Sequence, residues 1–174
     1  YYDKYYYDKS IADGFTLRLM REEIETDYKD KLLQIIEDEL GTHPEIANKD
    51  FSKRLIIQSN NYLHTLIQYV DKDLRRFRKE NDDPTVAGMI VLENNEQARK
   101  MKKLFDKYQE QFPHPLVAKL ILHDEGEAEE RKAITESFKH ESAIDILIVN
   151  QMLLTGFDAH RLKRLYLTRK MQGH

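Results

Sequence analysis

The sequence predicts an α/β domain in which a parallel β-sheet is covered by helices. Three short apolar runs, at residues 86–92, 116–122 and 144–149, have the length and composition of buried strands. Amphipathic helical patterns separate them, and this alternation of strand and helix predicts βαβ units with right-handed crossovers. The chain of 174 residues is long enough for one such domain and several additional helices.

Residues 1–83 are predicted to be a connector of one strand and helices that precedes the sheet. Residues 15–20 alternate polar and apolar side chains and are predicted to be a strand. From there the apolar spacing becomes helical over 21–40, and a second amphipathic helix is expected over 51–80. The apolar stripe of this second helix comprises Leu63, Leu66, Ile67, Val70, Leu74 and Phe77.

Residues 84–174 are predicted to be the sheet-containing domain, because Pro84 ends the helical pattern and the strands follow it. Asn94, with Gln97 three residues later, has the spacing of a helix-capping box. A further helix is expected over 127–139, between the second and third strands. A fourth strand is expected near residues 165–167.

The amino-acid composition excludes several kinds of functional site and several classes of protein. The chain has no cysteine, which excludes disulfides and thiolate metal sites. Its net charge is -3, whereas small autonomous DNA-binding modules are usually strongly basic, so DNA contact would come from a local patch or a larger assembly. Charged residues make up 34% of the sequence, and no apolar run is long enough to span a bilayer. We expect a cytoplasmic protein.

In open parallel sheets, ligands bind beyond the carboxyl ends of the strands. The segments to inspect are therefore 93–97, 123–127, 150–158 and 168–174. In the third of these, a strand delivers Asn150, and a turn with Gly and Asp follows. Small polar side chains and backbone amides at such a junction suit phosphate contact. The residues alone leave an equally good alternative, an ordinary βα loop with Gly and Asp as turn residues.

Residues 145–158 resemble motif V of superfamily 2 helicases. The continuation to Leu167, with Leu-Leu-Thr-Gly-Phe-Asp-Ala followed by Arg-Leu-Lys-Arg-Leu-Tyr-Leu, is typical of R subunits of type I restriction enzymes. Residues 87–93 and the helix after them resemble motif IV. The resemblance implies a RecA-like, P-loop NTPase-type three-layer domain, the second motor domain of a subunit that translocates and cleaves DNA.

The resemblance also implies roles for individual residues. Asn150 takes a position close to DNA phosphate. Gly156 and Asp158 take positions on the ATP-facing side of the cleft between two motor domains. Glu93 and Asn94 stand where motif IV approaches the DNA backbone.

Arg161 and Lys163 belong to a basic cluster that follows motif V. The cluster suggests phosphate contact along DNA, although a charged strand edge is the alternative that the residues alone favour. The cluster also contains Arg164, Arg169 and Lys170.

Several parts of an ATPase are absent from the sequence. There is no Gly-x-x-x-x-Gly-Lys-Ser/Thr loop for nucleotide phosphates and no Asp-Glu pair after a strand. The arginine-bearing motif VI is expected just beyond His174. Phosphoryl transfer needs these parts together, so we expect the chain to be an inactive fragment, without a metal site of its own. Its parent would bind ATP and Mg²⁺.

The partners implied by the resemblance are duplex DNA, the first RecA-like domain of the same chain, and modification and specificity subunits in a bacterial or archaeal cytoplasm. Two other functions remain open on the sequence. One is the second motor domain of another superfamily 2 DNA or RNA helicase or repair translocase. The other is an unrelated α/β interaction module.

Overall fold

The computed structural model describes residues 59–150 and 158–168, together with the helical positions 30, 31, 34, 35 and 38. The described elements are α1 (Asn60–Glu80), β1 (Ala87–Val91), α2 (Asn95–Gln109), β2 (Ala118–Ile121), α3 (Ala128–His140), β3 (Ile146–Val149) and β4 (Leu162–Leu167). They follow the predicted order of helix, strand, helix, strand, helix, strand, strand.

Some sequence predictions fall on residues that the structure does not describe. The predicted strand at 15–20 and the first part of the long helix, 51–58, lie outside the described residues. The five early positions that are described are all helical, in agreement with the helix expected over 21–40.

The four strands form one sheet in the order β2-β3-β1-β4, and every pair is parallel. β1 lies inside the sheet, where Gly88 pairs with Ile146 of β3 and with Arg164 of β4. The predicted parallel sheet with helical crossovers is confirmed. This architecture is that of an α/β RecA-like domain.

The sheet separates two apolar layers, which gives the three-layer arrangement. On one face, α1 and α2 pack on strand residues such as Ile90 and Ile148. On the other face, Phe138 of α3 packs on Met89 and Leu147. Because both faces are covered, all residues of β1 and β3 are buried, and the strands are continuous apolar runs rather than alternating patterns.

α1 is a capped amphipathic helix. Ser59 accepts a hydrogen bond from the amide of Tyr62 at 3.2 Å, which satisfies one free amide of the first turn. The helix ends at Asn81, whose amide donates to the carbonyl of Phe77, and Asp82 follows with a φ of 49°. Five of the six predicted stripe residues are buried, and Phe77 is partly buried against the same core.

The core on the α1 and α2 side is shared between α1 and the sheet. The division predicted between residues 83 and 84 would separate α1 from the strands that it covers. In the packing of the described residues, α1 is a layer of the sheet domain.

Among the described residues, no helix combines the length and the apolar character that crossing a membrane requires.

Candidate functional site

An open cleft with a volume of about 790 Å³ lies at the carboxyl ends of β1, β2 and β3. It therefore lies where ligands bind in parallel sheets. Three of the four segments singled out from the sequence meet there. The residues lining it are Glu93, Asn94, Asn95, Glu96, Arg99, His123 and Asn150.

The N-terminus of α2 forms one wall of the cleft. The Asn94 side chain accepts from the amide of Gln97 at 2.9 Å, and the Gln97 side chain accepts from the amide of Glu93 at 3.0 Å. The predicted cap is thus confirmed, with the return bond one residue earlier than in a standard capping box. First-turn amides point out of a helix N-terminus, so this wall presents hydrogen-bond donors and a positive dipole end.

A chain of polar side-chain contacts joins the ends of the three strands. Asn150, immediately after β3, donates through Nδ2 to Oδ1 of Asn95 at the start of α2. The Asn95 side chain also lies close enough to Asp124, in the loop after β2, to lower the pKa of that carboxyl. The cleft is therefore held together by polar contacts as well as by the strands.

Arg99 supplies positive charge beside this chain. Its guanidinium lies 2.9 Å from the carboxylate of Asp124 and 2.9 Å from that of Glu125. The hydrogen bond from Asn95, followed by the one from Arg99, lowers the pKa of Asp124. The same pairs raise the pKa of Arg99. Both partners of these pairs are well exposed, so solvent screens the attraction.

The charge of the cleft is mixed. Glu93 and Glu96 line it together with Arg99. Burial, and then the negative charge of Glu93, raise the pKa of the nearby Tyr62. The carboxylate of Glu93 would repel a phosphate, so neutral amides are the better phosphate contacts in this cleft.

Arg161 occupies a different place from the one predicted. It is 8% exposed and lies where β4 begins, at the end of the sheet opposite to the cleft. Its Nη1 donates to the carbonyls of Phe138, Glu141 and Ile144 at 3.1, 2.6 and 2.7 Å, and its Nε donates to that of Thr85 at 2.9 Å. The guanidinium thus closes the C-terminal end of α3.

This environment does not fit the predicted phosphate contact of Arg161, because the side chain is enclosed by protein. Burial lowers the pKa of Arg161, partly offset by the charge of Asp145. Its Nη2 is buried, without a hydrogen-bond partner among the residues that the structure describes. Of the basic cluster expected from the sequence, Arg161 is buried, Arg164 is largely buried against Asp73, and Lys163 is exposed. Arg169 and Lys170 lie outside the described residues.

Lys163 is exposed on β4, at the point where the register with β1 shifts. It lies close enough to Asp83 to contribute to lowering the pKa of that carboxyl, after the bonds from Thr85. Lys163 is thus near the start of β1, whereas Glu93, Asn94 and Asn150 are at the other end of the sheet.

The two residues predicted on the ATP-facing side are only partly described. Asp158 is exposed and precedes β4. Gly156 lies outside the described residues, as does half of the motif V segment, residues 151–157. Their predicted contact with nucleotide stays a prediction.

Four residues that line the cleft were not singled out as site residues from the sequence, namely Asn95, Glu96, Arg99 and His123, and neither was Asp124 beside them. Their segments were indicated by the strand ends, but side-chain partners depend on strand order. The order β2-β3-β1 places the loop after β2 near the start of α2. Beyond this loop, Glu129 and Glu130 occupy the first turn of α3, where negative charge is favourable beside the positive end of the helix dipole.

Among the residues that are described, no group of three or more His, Cys, Asp or Glu side chains could hold a metal ion. The sequence also has no phosphate loop.

A family model described as type I restriction enzyme subunit R domain 3 matches residues 61–174. A putative type I restriction enzyme endonuclease subunit of Methanocaldococcus jannaschii is 30% identical over 215 residues, covering 100% of this chain and 20% of the relative. A type I restriction enzyme endonuclease subunit of Staphylococcus aureus strain MRSA252 is 30% identical over 138 residues, covering 73% of this chain and 14% of the relative. The chain thus spans a fifth or less of the length of these relatives.

Proposed function

Because the chain belongs to the family of type I restriction enzyme R subunits, we propose that it forms part of the second RecA-like motor domain of a subunit that translocates and cleaves DNA at the expense of ATP. Two observations support the proposal. The family model covers both helical layers and the whole described sheet. The cleft lies at the sheet edge where a motor domain would meet its ligands.

The observation that carries the proposal is the meeting of Asn94, Asn95 and Asn150 at one sheet edge. Neutral carboxamides and helix-start amides can donate to phosphate oxygens on any DNA sequence. A motor that moves along DNA needs contacts of this sequence-independent kind. The described cleft therefore suits the DNA backbone better than it suits a base edge.

ATP and Mg²⁺ would not bind to this part of the subunit alone. The described residues include no cluster that could hold a metal, and the chain lacks a phosphate loop. We propose that another motor domain of the subunit supplies both, and that Gly156 and Asp158 face the nucleotide from this side. The isolated chain is then expected not to hydrolyse ATP.

The partners that follow from this proposal are duplex DNA, the first motor domain, and the modification and specificity subunits of a restriction system in the cytoplasm. Cleavage would be carried out by a different domain of the subunit. The alternatives of another superfamily 2 helicase and of an unrelated interaction module are favoured by no particular feature of the described residues.

The test is DNA-stimulated ATP hydrolysis by the full-length subunit, assembled with its partner subunits. We expect Asn150→Ala to raise the DNA concentration for half-maximal stimulation by roughly three- to tenfold, because one backbone contact and its ordering are lost. The maximal rate at saturating DNA should change much less. The isolated chain should be inactive with and without DNA.

A matched control is Asn81→Ala. This asparagine is exposed and ends α1, close to the amino-terminal side of the sheet. It should leave the DNA response unchanged. If Asn150→Ala and Asn81→Ala give the same DNA response as the unaltered subunit, the cleft does not contact DNA. A full-length subunit without any DNA-stimulated hydrolysis would contradict the motor function as a whole.

A further inference from the structure

The positive charge of Arg99 in the cleft is already paired with two carboxylates. Among the described residues that line the cleft, Arg99 alone is a lysine or an arginine. Its Nη2 lies 2.9 Å from Oδ1 of Asp124, and its Nε lies 2.9 Å from Oε2 of Glu125, both in the loop after β2. The three side chains are 40%, 42% and 50% exposed, so water reaches both ion pairs. One positive charge thus faces two negative charges beside the cleft.

Ion pairs of this kind are readily exchanged for a phosphate. Exposed pairs contribute little to stability, because solvent screens the attraction between them. A guanidinium binds a phosphate through two parallel, charge-assisted hydrogen bonds. It has five N–H donors, and the contacts of Arg99 within the described part of the chain engage Nε and Nη2. The donors of Nη1 can therefore reach a phosphate oxygen before either carboxylate is released.

We propose that Arg99 contacts the DNA backbone, and that Asp124 and Glu125 hold its charge while DNA is absent. On binding, a phosphate takes the place of the carboxylates on the guanidinium. The asparagines of the cleft supply neutral donors, and Arg99 adds the positive charge that they lack. This inference rests on the proposed contact between the cleft and DNA, and it goes beyond that contact by assigning two acidic residues that weaken it.

The loop that carries the two carboxylates is held independently of Arg99. Arg131 of α3 donates through Nη1 to the carbonyls of Glu125 and Gly126 at 3.1 and 2.6 Å. Gly126 has a φ of 69°, in the left-handed region, and a Cβ there would lie 2.7 Å from Oε2 of Glu130. None of these constraints involves the Arg99 guanidinium. Arg99 can therefore change partners, and the carboxylates can be replaced, while the loop keeps its backbone conformation.

The experiment measures DNA-stimulated ATP hydrolysis of the full-length subunit, assembled with its partner subunits, over a range of duplex DNA and salt concentrations. Arg99→Gln should raise the DNA concentration for half-maximal stimulation by roughly three- to tenfold, because a charge-assisted contact is lost. The salt dependence of that concentration should also become less steep, since one phosphate is no longer neutralised. An unchanged DNA response of Arg99→Gln would overturn the inference.

The carboxylate variants should act in the opposite direction. Asp124→Asn and Glu125→Gln should each lower the DNA concentration for half-maximal stimulation by roughly two- to threefold, because each removes a competitor for the guanidinium. The charge-matched control is Glu127→Gln, at the N-cap of α3, where the exposed side chain makes no capping hydrogen bond. Because this carboxylate is not paired with Arg99, its loss should change the response by less than about 1.5-fold. An equal gain from Glu127→Gln would mean that net charge alone sets the DNA response, against the inference.

A double-variant cycle tests whether the gain depends on Arg99. In a subunit that already carries Arg99→Gln, Asp124→Asn should no longer lower the DNA concentration, since there is no guanidinium to release. A gain of the same size with and without Arg99 would overturn the inference, because Asp124 would then repel DNA directly. Thermal midpoints should agree among all variants, since exposed ion pairs contribute little to stability. If Arg99→Gln nevertheless unfolds early, the carboxylate variants and Glu127→Gln, which all keep Arg99, still decide the question.

The failure of this inference differs from the failure of the proposed function. If Asn150→Ala is impaired while Arg99→Gln responds to DNA normally, the role of Arg99 is wrong and the contact between the cleft and DNA stands. If both variants respond normally, the cleft does not contact DNA and both ideas fail.

Discussion

At the scale of single residues, the basic side chains after motif V differ in burial and in hydrogen bonding, although they carry the same charge. Arg161 is buried and donates to four backbone carbonyls, whereas Lys163, two positions later, is exposed. Arginine suits the first place because its planar guanidinium presents several donors in a fixed geometry. A lysine would satisfy fewer of these carbonyls. The sequence spacing does not distinguish the two positions.

We expect Arg161→Ala to lower the free energy of unfolding by about 3 kcal/mol, because buried carbonyls lose their donor and a large side chain is removed. Lys163→Ala, the control on the same strand, should change it by less than about 0.5 kcal/mol. Urea unfolding followed by circular dichroism measures both. Equal stability of the two variants would mean that the hydrogen bonds of Arg161 do not stabilise the fold.

At the scale of secondary-structure elements, α1 is fastened to β4 by a buried carboxylate. Asp73 is 2% exposed and accepts from Tyr166 Oη at 2.8 Å and from Arg164 Nε at 2.8 Å. Arg76, on α1 itself, donates to the same carboxylate at 2.8 Å. Burial, and then the charge of Asp73, raise the pKa of Tyr166, which therefore stays protonated as a donor.

The packing around this carboxylate is close. A Cβ added to Gly88 would lie 3.0 Å from Cε2 of Tyr166, so the glycine lets the tyrosine ring cross β1. The guanidinium of Arg164 also lies 4.9 Å from the ring centre of Phe77, on α1. The helix and the strand are thus joined by charge, by hydrogen bonds and by ring contacts.

We expect Asp73→Ala to lower the free energy of unfolding by about 3 kcal/mol or more, because the largely buried Arg164 is left without its counter-charge. The control is Asp106→Ala on α2, where an exposed carboxylate pairs with Lys102. This control should cost less than about 1 kcal/mol. Chemical denaturation of the chain gives both values. A loss for Asp73→Ala no larger than the control's would mean that α1 is held by apolar packing alone.

At the scale of the whole molecule, the unit that packs together begins with α1. Buried residues of α1, among them Leu63, Ile67 and Val70, share a core with α2 and with the sheet. The family model begins at residue 61, one residue after the start of α1. We therefore propose that the boundary of the motor domain lies before α1 rather than at residue 84.

This boundary predicts how shortened chains behave. A chain of residues 59–174 should unfold cooperatively on heating, because it keeps both helical layers. A chain of residues 84–174 should lack a cooperative transition or aggregate, because one apolar face of its sheet is exposed to water. Thermal circular dichroism and size-exclusion chromatography test this. A cooperative, monomeric 84–174 chain with the same midpoint would support the boundary predicted from the sequence.

The sequence alone determined the class of fold and the order of its elements. Continuous apolar runs predicted β1, β2 and β3, and the Asn94 cap predicted the start of α2, because these signals come from neighbours along the chain. The same local signals placed Asn150 at a strand end, in a motif that resembles those of R subunits. The family model and the relatives bear out that resemblance.

Only the tertiary structure decided which distant residues meet. The strand order brings Asn95 and Asp124 to Asn150, and it sends Arg161 into the opposite end of the sheet. The tertiary structure also joins α1 to the core through Asp73. In the helical pattern of the sequence, Asp73 is only one polar position among others. Burial and hydrogen-bond partners are properties of packed surfaces, so separation along the chain does not specify them.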